Sequence, residues 1–388
     1  MQLLDDEQQQ LIGAETAQCL EDCPTVANTA YALPFANQLE PTSLIDAFLA
    51  HPPEGFEILD TASTGQPAFA APFDLLTTAD ESLRRRVQTL PLYRHWAGLL
   101  QPRVAFVGTT VSEYVVMPRG ADVDALPRRW QEAWSDRYPF LIVKDLPEDS
   151  TLLSDAENRV ARELAQACER QGFFLLEGQA LAYVPIEFSN VSTYLGGLSK
   201  SRRRDMRRKM RSLDEMEVVR RSTGDPCFLD AGTVDRYVAL YRSVFAQSKT
   251  QFDLLTRDFF AATLRDPSSG GVVFEYRRRG AGAPLVGWNL CFVVGDKLVD
   301  KYIGFAYPAA QELNLYFVSW IVNLEFAIQA GLSHYIAGWS DPEVKAQLGA
   351  TFTFTRHAVY SRHAMLRSAV RRFGGSLEGD RRRLAARR

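Results

Sequence analysis

The clearest pattern of apolar and polar positions lies in residues 285–363. Residues 286–294 alternate as a strand does and end at Gly295-Asp296, a turn pair, after which 297–305 reads as a second strand. A run with helical spacing follows over about 315–330, with Val318, Ile321, Val322 and Glu325 recurring and Gly331 as its stop. Residues 334–337 predict a short strand. Ser340-Asp341-Pro342-Glu343 predicts a capped turn opening a short helix that carries Lys345, and 351–360 predicts a last strand. Hairpin, helix, strand, helix and strand make one α/β layer unit.

Upstream, residues 1–50 are weakly patterned and broken by Pro24, Pro34 and Pro41, which predicts loops and short helices. Strand-like runs occur at 57–59, 104–107 and 114–117, then a short helical run at 126–134. Residues 139–146 read as a buried strand. Ser154-Asp155-Ala156-Glu157 is a capping-box sequence, and Val160, Leu164, Ala167 and Cys168 mark one helical face up to Gly172. Residues 173–177 are the next strand, and strand–helix–strand at this spacing predicts a right-handed parallel crossover. The later unit repeats that grammar. The expected organisation is therefore an N-terminal α/β domain over 1–183, a C-terminal one over 184–365 and a basic tail over 366–388, with 139–146 and 297–305 in equivalent places.

Between the halves, residues 194–213 carry Lys200, Arg202, Arg203, Arg204, Arg207, Arg208, Lys209 and Arg211, with Leu195, Leu198, Met206, Met210 and Leu213 as an apolar stripe. This predicts an amphipathic helix with a basic surface. Its like charges repel, with Asp205 opposing them, which favours an anionic partner; a merely solvated face is the plainer alternative. A strand at 218–221, helices at 234–247 and 257–264, and a strand at 271–277 follow.

At 388 residues the chain exceeds one ordinary core. A hydrophobic content of 46% and a charged content of 23% describe a globular protein, and the net charge of −3 gives no global argument for nucleic acid. Five scattered Cys, of which only Cys19 and Cys23 are close, argue against a metal site and for reduced thiols in a cytoplasm. The acidic, Gln-rich start is unlike a secretory signal, and the apolar run 315–328 is too short to span a membrane.

Charged residues inside an apolar strand point to chemistry, because ions are seldom buried unpaired. Strand alternation places Asp300 and Tyr302 on one face of 297–305 and Lys301 on the other. A carboxylate beside a phenol suits proton removal from an attacking amine, and a buried ion pair is the structural alternative for Asp300. Asp341 reads as a helix N-cap before Pro342, with Lys345 one turn later, solvated or turned inward. Glu325 must be paired or at a cleft edge. His357 titrates near neutrality or is structural, and Trp339 is core or the wall of an acceptor pocket.

The order Leu198-Ser199-Lys200…Arg203…Arg207-Arg208-Lys209, then Tyr241…Phe245, 255–260 (LTRDFF), 302–304, 324–328 (LEFAI) and Gly338…Lys345…Gly349…His357 resembles the Fem-like branch of the GNAT superfamily. That branch includes the Fem peptidyltransferases and many bacterial N-acyltransferases. The resemblance covers about half the chain, roughly residues 184–363. It implies tandem GNAT-like folds of the α/β (α+β) class, each a mixed, mostly antiparallel twisted sheet flanked by helices. It also implies transfer of an acyl group to an amine by direct attack, with Asp300, Tyr302 and Lys345 catalytic. Lys301, Glu325, Trp339, Asp341 and His357 would meet the substrate, and Arg203, Arg204, Arg207, Arg208 and Arg211 the donor. No bound cofactor is expected; acyl-CoA or another acyl thioester would be the co-substrate and a small amine the acceptor. One departure stands out. The turn at 305–313 holds no Gly and one Pro, unlike the Gly-rich pyrophosphate loop of acyl-CoA enzymes. Fem peptidyltransferases also lack that loop and use aminoacyl-tRNA, which makes tRNA the alternative donor, with non-enzymatic RNA binding a more distant reading.

Overall fold

The computed structural model describes residues 33–62, 64–74, 85, 89, 100–248, 251–280, 282, 284–363, 381 and 384. The expectations for residues 1–32, the Cys19/Cys23 pair and nearly all of the basic tail lie outside the described residues. The chain opens with strand β1 (Phe35–Ala36), helix α1 (Thr42–Ala50) and strands β2 (Glu57–Ile58), β3 (Ala68–Pro72), β4 (Arg103–Val107) and β5 (Met117–Pro118). Helix α2 (Leu126–Trp134), β6 (Leu141–Glu148), α3 (Asp155–Arg170) and β7 (Phe174–Pro185) complete the first half. The Ser154 hydroxyl accepts from the Glu157 amide and the Glu157 carboxylate from the Ser154 amide, so the capping box forms as its sequence predicts.

The second half runs α4 (Val191–Gly197), α5 (Lys200–Met210), β8 (Met216–Ser222), α6 (Ala231–Gln247), α7 (Arg257–Arg265), β9 (Gly271–Arg278), β10 (Leu285–Val294) and β11 (Lys297–Phe305). It closes with α8 (Ala309–Glu312), α9 (Leu315–Gln329), β12 (His334–Gly338), α10 (Pro342–Gln347) and β13 (Thr351–Tyr360). The single helix expected over 194–213 is broken. Leu198 turns extended at the end of α4, Ser199 caps α5 through the Arg202 amide, and a 3-10 turn (Arg211–Glu215) ends the segment.

Eleven strands form one mixed sheet in the order β2-β3-β4-β6-β13-β7-β12-β11-β10-β9-β8. Two neighbouring pairs are parallel, β4–β6 and β11–β12, and each is joined through helices; the other neighbours are antiparallel. An antiparallel meander ending in a helix-linked parallel strand therefore occurs twice. The equivalence differs from the expected one: β6 corresponds to β12, the returning strand, and β11 corresponds to β4. Strands β6 and β7 run parallel as the crossover pattern predicts, but they are not adjacent. The last strand, β13, lies between them and pairs antiparallel with both. The expected boundary at 183/184 falls inside β7, which pairs with β12 of the second half.

The two sheet faces carry separate cores. On one, Trp288, Leu290, Phe292 and Tyr302 pack with Phe259 and Phe260 of α7 and continue to Phe48, Phe69 and Phe106 of the first half. On the other, Cys291, Leu298 and Phe305 pack with Trp320, Ile321 and Leu324 of α9 and with Tyr335.

Candidate active site

Pairing between β11 and β12 stops at Val299–Ile336, so the two strands diverge just before Asp300. Gly338 ends β12 with φ +80, a conformation that favours glycine. A Cβ there would stand 3.8 Å from the Asp300 carbonyl oxygen and 3.9 Å from Lys345 Nζ. Gly338 therefore stands between the Asp300 main chain and the Lys345 ammonium where the two strands part.

The register of β10 against β11 shifts at this point: Cys291 faces Asp300, Leu290 faces Tyr302, and Lys301 is the extra residue of a β-bulge. A bulge resets the alternation of side chains beyond it. Asp300, like Leu298, points to the α9 face, where it accepts from Asn289 Nδ2 (2.9 Å), Asn323 Nδ2 (3.0 Å) and the Tyr335 hydroxyl (2.9 Å). Tyr302 points to the opposite face, its ring 5.7 Å from Phe259 and 5.5 Å from Phe260. The expectation of a shared face is overturned, and Tyr302 is not the phenol beside Asp300; Tyr335 is. Burial raises the Asp300 carboxyl above its usual range, against the Tyr335 hydrogen bond and the Lys345 charge, which lower it. Among the described residues no cation pairs with it, and three neutral donors hold the carboxylate.

Lys345 is 3% exposed and its ammonium donates to the Ala337 carbonyl at 2.5 Å. Burial pushes it down to about 8, while Asp300, Glu113 and Asp341 pull the other way. Asp341 occupies the N-cap position of α10 in the left-handed region (φ 48), yet its side chain makes no capping bond. It is exposed, and its charge reaches Lys345 and Tyr316. The Tyr316 hydroxyl, in the first turn of α9, is buried and has no hydrogen-bond partner among the described residues. Trp339 packs against Tyr114 at 6.4 Å, edge to face.

Other expected residues fall elsewhere. Lys301 binds Glu113 and Glu40 from the first half. Glu325 follows Asn323 by two residues on α9, and that spacing turns it nearly to the other side of the helix from the Asp300 contact. It is partly buried, which raises its carboxyl. His357 lies on β13 and accepts from the Asp145 amide at 3.1 Å, with burial holding its imidazole below the usual range; its contacts are on β6, not at Asp300. On α5 Arg204, Arg207 and Arg208 are exposed, as is Arg211 in the turn that follows, with Arg208 pairing with Asp205 at 2.6 Å; Arg203 is partly buried and donates to the Gly196 carbonyl. The helix packs on the start of α9, with Lys209 Nζ 3.2 Å from the Phe317 ring centre and Ser212 bonded to Asn314. The basic face thus flanks the helix turn that carries Tyr316. Asn289 and Asn323, both fully buried, were not foreseen; the signal was a lone amide inside each of two apolar runs.

A meander and a helix-linked parallel pair occur twice in the sheet, the duplicated mixed α/β fold that the resemblance implied, and the polar cluster lies where the second pair splays apart. The chain belongs to the FemAB-like family, described as peptidoglycan biosynthesis/recognition, whose model matches residues 142–385, well over half the chain. It is accordingly a transferase of the acyl or aminoacyl type. Among solved structures, L-PGS from Bacillus licheniformis is similar with 9% identity over 86% of this chain and 96% of that one, TM-score 0.49. FemX is similar with 9% identity over 85% and 98%, TM-score 0.47. A tandem GNAT protein from the clavulanic acid biosynthesis pathway shows 10% identity over 82% and 87%, TM-score 0.41. No curated protein sequence matches the chain. Among the described residues no helix is long and apolar enough to cross a membrane.

Proposed function

We propose that the chain transfers an acyl group from an acyl thioester to an amine by direct attack in the opening between β11 and β12. The observation that carries this reading is Lys345: a buried lysine whose ammonium meets one backbone carbonyl and whose charge acts on the partly buried Asp300 carboxylate. A buried ammonium is costly to keep, and it is well suited to stabilise the oxyanion that forms when an amine adds to a carbonyl. Asp300, oriented by Asn289, Asn323 and Tyr335, positions the amine and takes its proton as the C–N bond forms; collapse of the oxyanion then breaks the C–S bond, and the thiolate leaves with that proton as the free thiol. The nearby thiol, Cys291, is fully buried and burial raises it, so attack through a cysteine is not part of the scheme.

A second reading, with aminoacyl-tRNA as donor, is favoured by the exposed arginines of α5 next to α9 and by the turn before α9, which folds as α8 with no glycine. A mass-spectrometric screen of acyl-CoA, acyl-carrier-protein and aminoacyl-tRNA donors against a panel of amines tests both. Transfer from a thioester with a shallow salt dependence supports the first, and transfer from tRNA that falls steeply with salt supports the second. Absence of amide product from every donor class would reject acyl transfer.

A further inference from the structure

The free charges of α5 stand in a line. Lys200, Arg204, Arg207, Arg208 and Arg211 recur at spacings of three and four residues, which sets them on one side of the helix and of the 3-10 turn that continues it. All are exposed. Asp205 takes Arg208, while Lys200, Arg204, Arg207 and Arg211 have no salt bridge among the described residues. At 1.5 Å per residue the stripe is roughly 16 Å long. It borders the place where β11 and β12 part: Lys209 of α5 sits on Phe317 in the first turn of α9, and the Tyr194 hydroxyl of α4 donates to the Leu348 carbonyl just after α10. The segment is thus fastened to the helix that carries Tyr316 and to the helix that carries Lys345.

Two other donor chemistries find less to hold them. A nucleotide thioester needs a row of free N–H groups for its pyrophosphate. In the turn before α9 the amides of Ala306, Ala310, Gln311, Leu313 and Asn314 already donate to backbone carbonyls, Pro308 has no N–H, and Glu312 sets an exposed carboxylate there. A polynucleotide is held by rings on which its bases stack as well as by cations. From α4 to the 3-10 turn the one aromatic residue is Tyr194, and it is buried. The stripe also stops at exposed Asp214 and Glu215. A short, straight row of cations ending in acid fits one helix of a compact acidic protein, whose carboxylates meet the guanidinium forks at the same three- and four-residue spacing.

We propose that the donor is an acyl thioester on a small acidic carrier protein, which lays an acidic helix along the Lys200–Arg211 stripe and passes its phosphopantetheine arm to Lys345 and Asp300. This deepens the thioester reading and rests on it for the chemistry, but docking needs no turnover. The test is fluorescence anisotropy of the full chain with three labelled probes: a bacterial holo-acyl-carrier protein, coenzyme A and unacylated tRNA. At about 0.15 M salt the carrier should bind more tightly than either other probe, and its binding should weaken as salt rises. The combined change Arg204→Glu, Arg207→Glu and Arg211→Glu should weaken the carrier about 10-fold or more, with the melting temperature unchanged. A carrier whose acidic helix is recoded with lysines should prefer that reversed chain to wild type. Where the triple variant does not fold, Arg204→Gln with Arg207→Gln carries the same comparison. No binding of the carrier, tighter binding of tRNA or coenzyme A, or equal carrier binding by wild type and the altered stripe overturns the proposal. The outcomes separate from those of the transferase reading. Carrier docking with no amide formed from any donor rejects transfer alone, whereas amide formed at the wild-type rate from limiting carrier by the reversed chain rejects this assignment alone.

Discussion

Replacing Lys345 by methionine keeps the length and most of the volume of the side chain and removes the ammonium. The folded protein holds this lysine at about 8 against an ordinary value of 10.5. At neutral pH that difference is a folding cost on the order of 3 kcal/mol, since each pK unit is about 1.4 kcal/mol. The lost hydrogen bond to the Ala337 carbonyl offsets roughly 1–3 kcal/mol of it. Lys345→Met should therefore be as stable as wild type at pH 7, or more stable by up to about 2 kcal/mol. The pH dependence is the stronger signature. Below about 8 both folded and unfolded wild type carry the proton and the full cost is present. Between about 8 and 10.5 the folded state has released it while the unfolded state still binds it, so wild-type stability rises with pH relative to the variant. Urea denaturation of both proteins from pH 6.5 to 10.5 measures that difference; this range is chosen to bracket the two values. A wild-type-minus-variant difference that stays flat across the window would refute a depressed Lys345. Activity should move the opposite way from stability, falling roughly 10²- to 10³-fold in turnover if the ammonium stabilises an oxyanion.

Asp300→Asn sets an amide against the donors Asn289, Asn323 and Tyr335; it should lower single-turnover rates by roughly 10²- to 10⁴-fold, with donor binding unchanged. Its cost in thermal stability should be about 1–3 kcal/mol; unaltered turnover would move the catalytic assignment off β11. Reversing Arg204, Arg207 and Arg211 to Glu should weaken donor binding and flatten its salt dependence without changing the melting temperature, because all three are exposed; fluorescence titration at several ionic strengths reads this. Ser154→Ala removes the reciprocal cap of α3 and should cost about 1 kcal/mol in chemical denaturation, with no effect on transfer.

Local chemistry determined much of the fold from the sequence by itself. The hairpin of β10 and β11 follows from alternation around Gly295-Asp296, α9 from its apolar periodicity and Gly331, and α3 from its capping box. These signals act over a few residues, within one strand pair or one turn, so the sequence alone carries them. Asp300 stood out for a similarly local reason, as a charge in an apolar run, whereas Lys345 was marked by its place one turn after Asp341 and by the resemblance. Tertiary structure decided what depends on distant partners. A single extra residue at Lys301 reversed the faces of Asp300 and Tyr302, and nothing in an alternating run shows where a partner strand will slip. The groups that hold Asp300 come from β10, α9 and β12, and Glu40 and Glu113 reach Lys301 from the other half of the chain. Strand β13 crosses back to fill the place between β6 and β7, an insertion that the crossover pattern does not show. Backbone pairing and side-chain convergence across such separations arise only when the sheet closes, because a strand's pattern encodes which face is buried and not which neighbour it will meet.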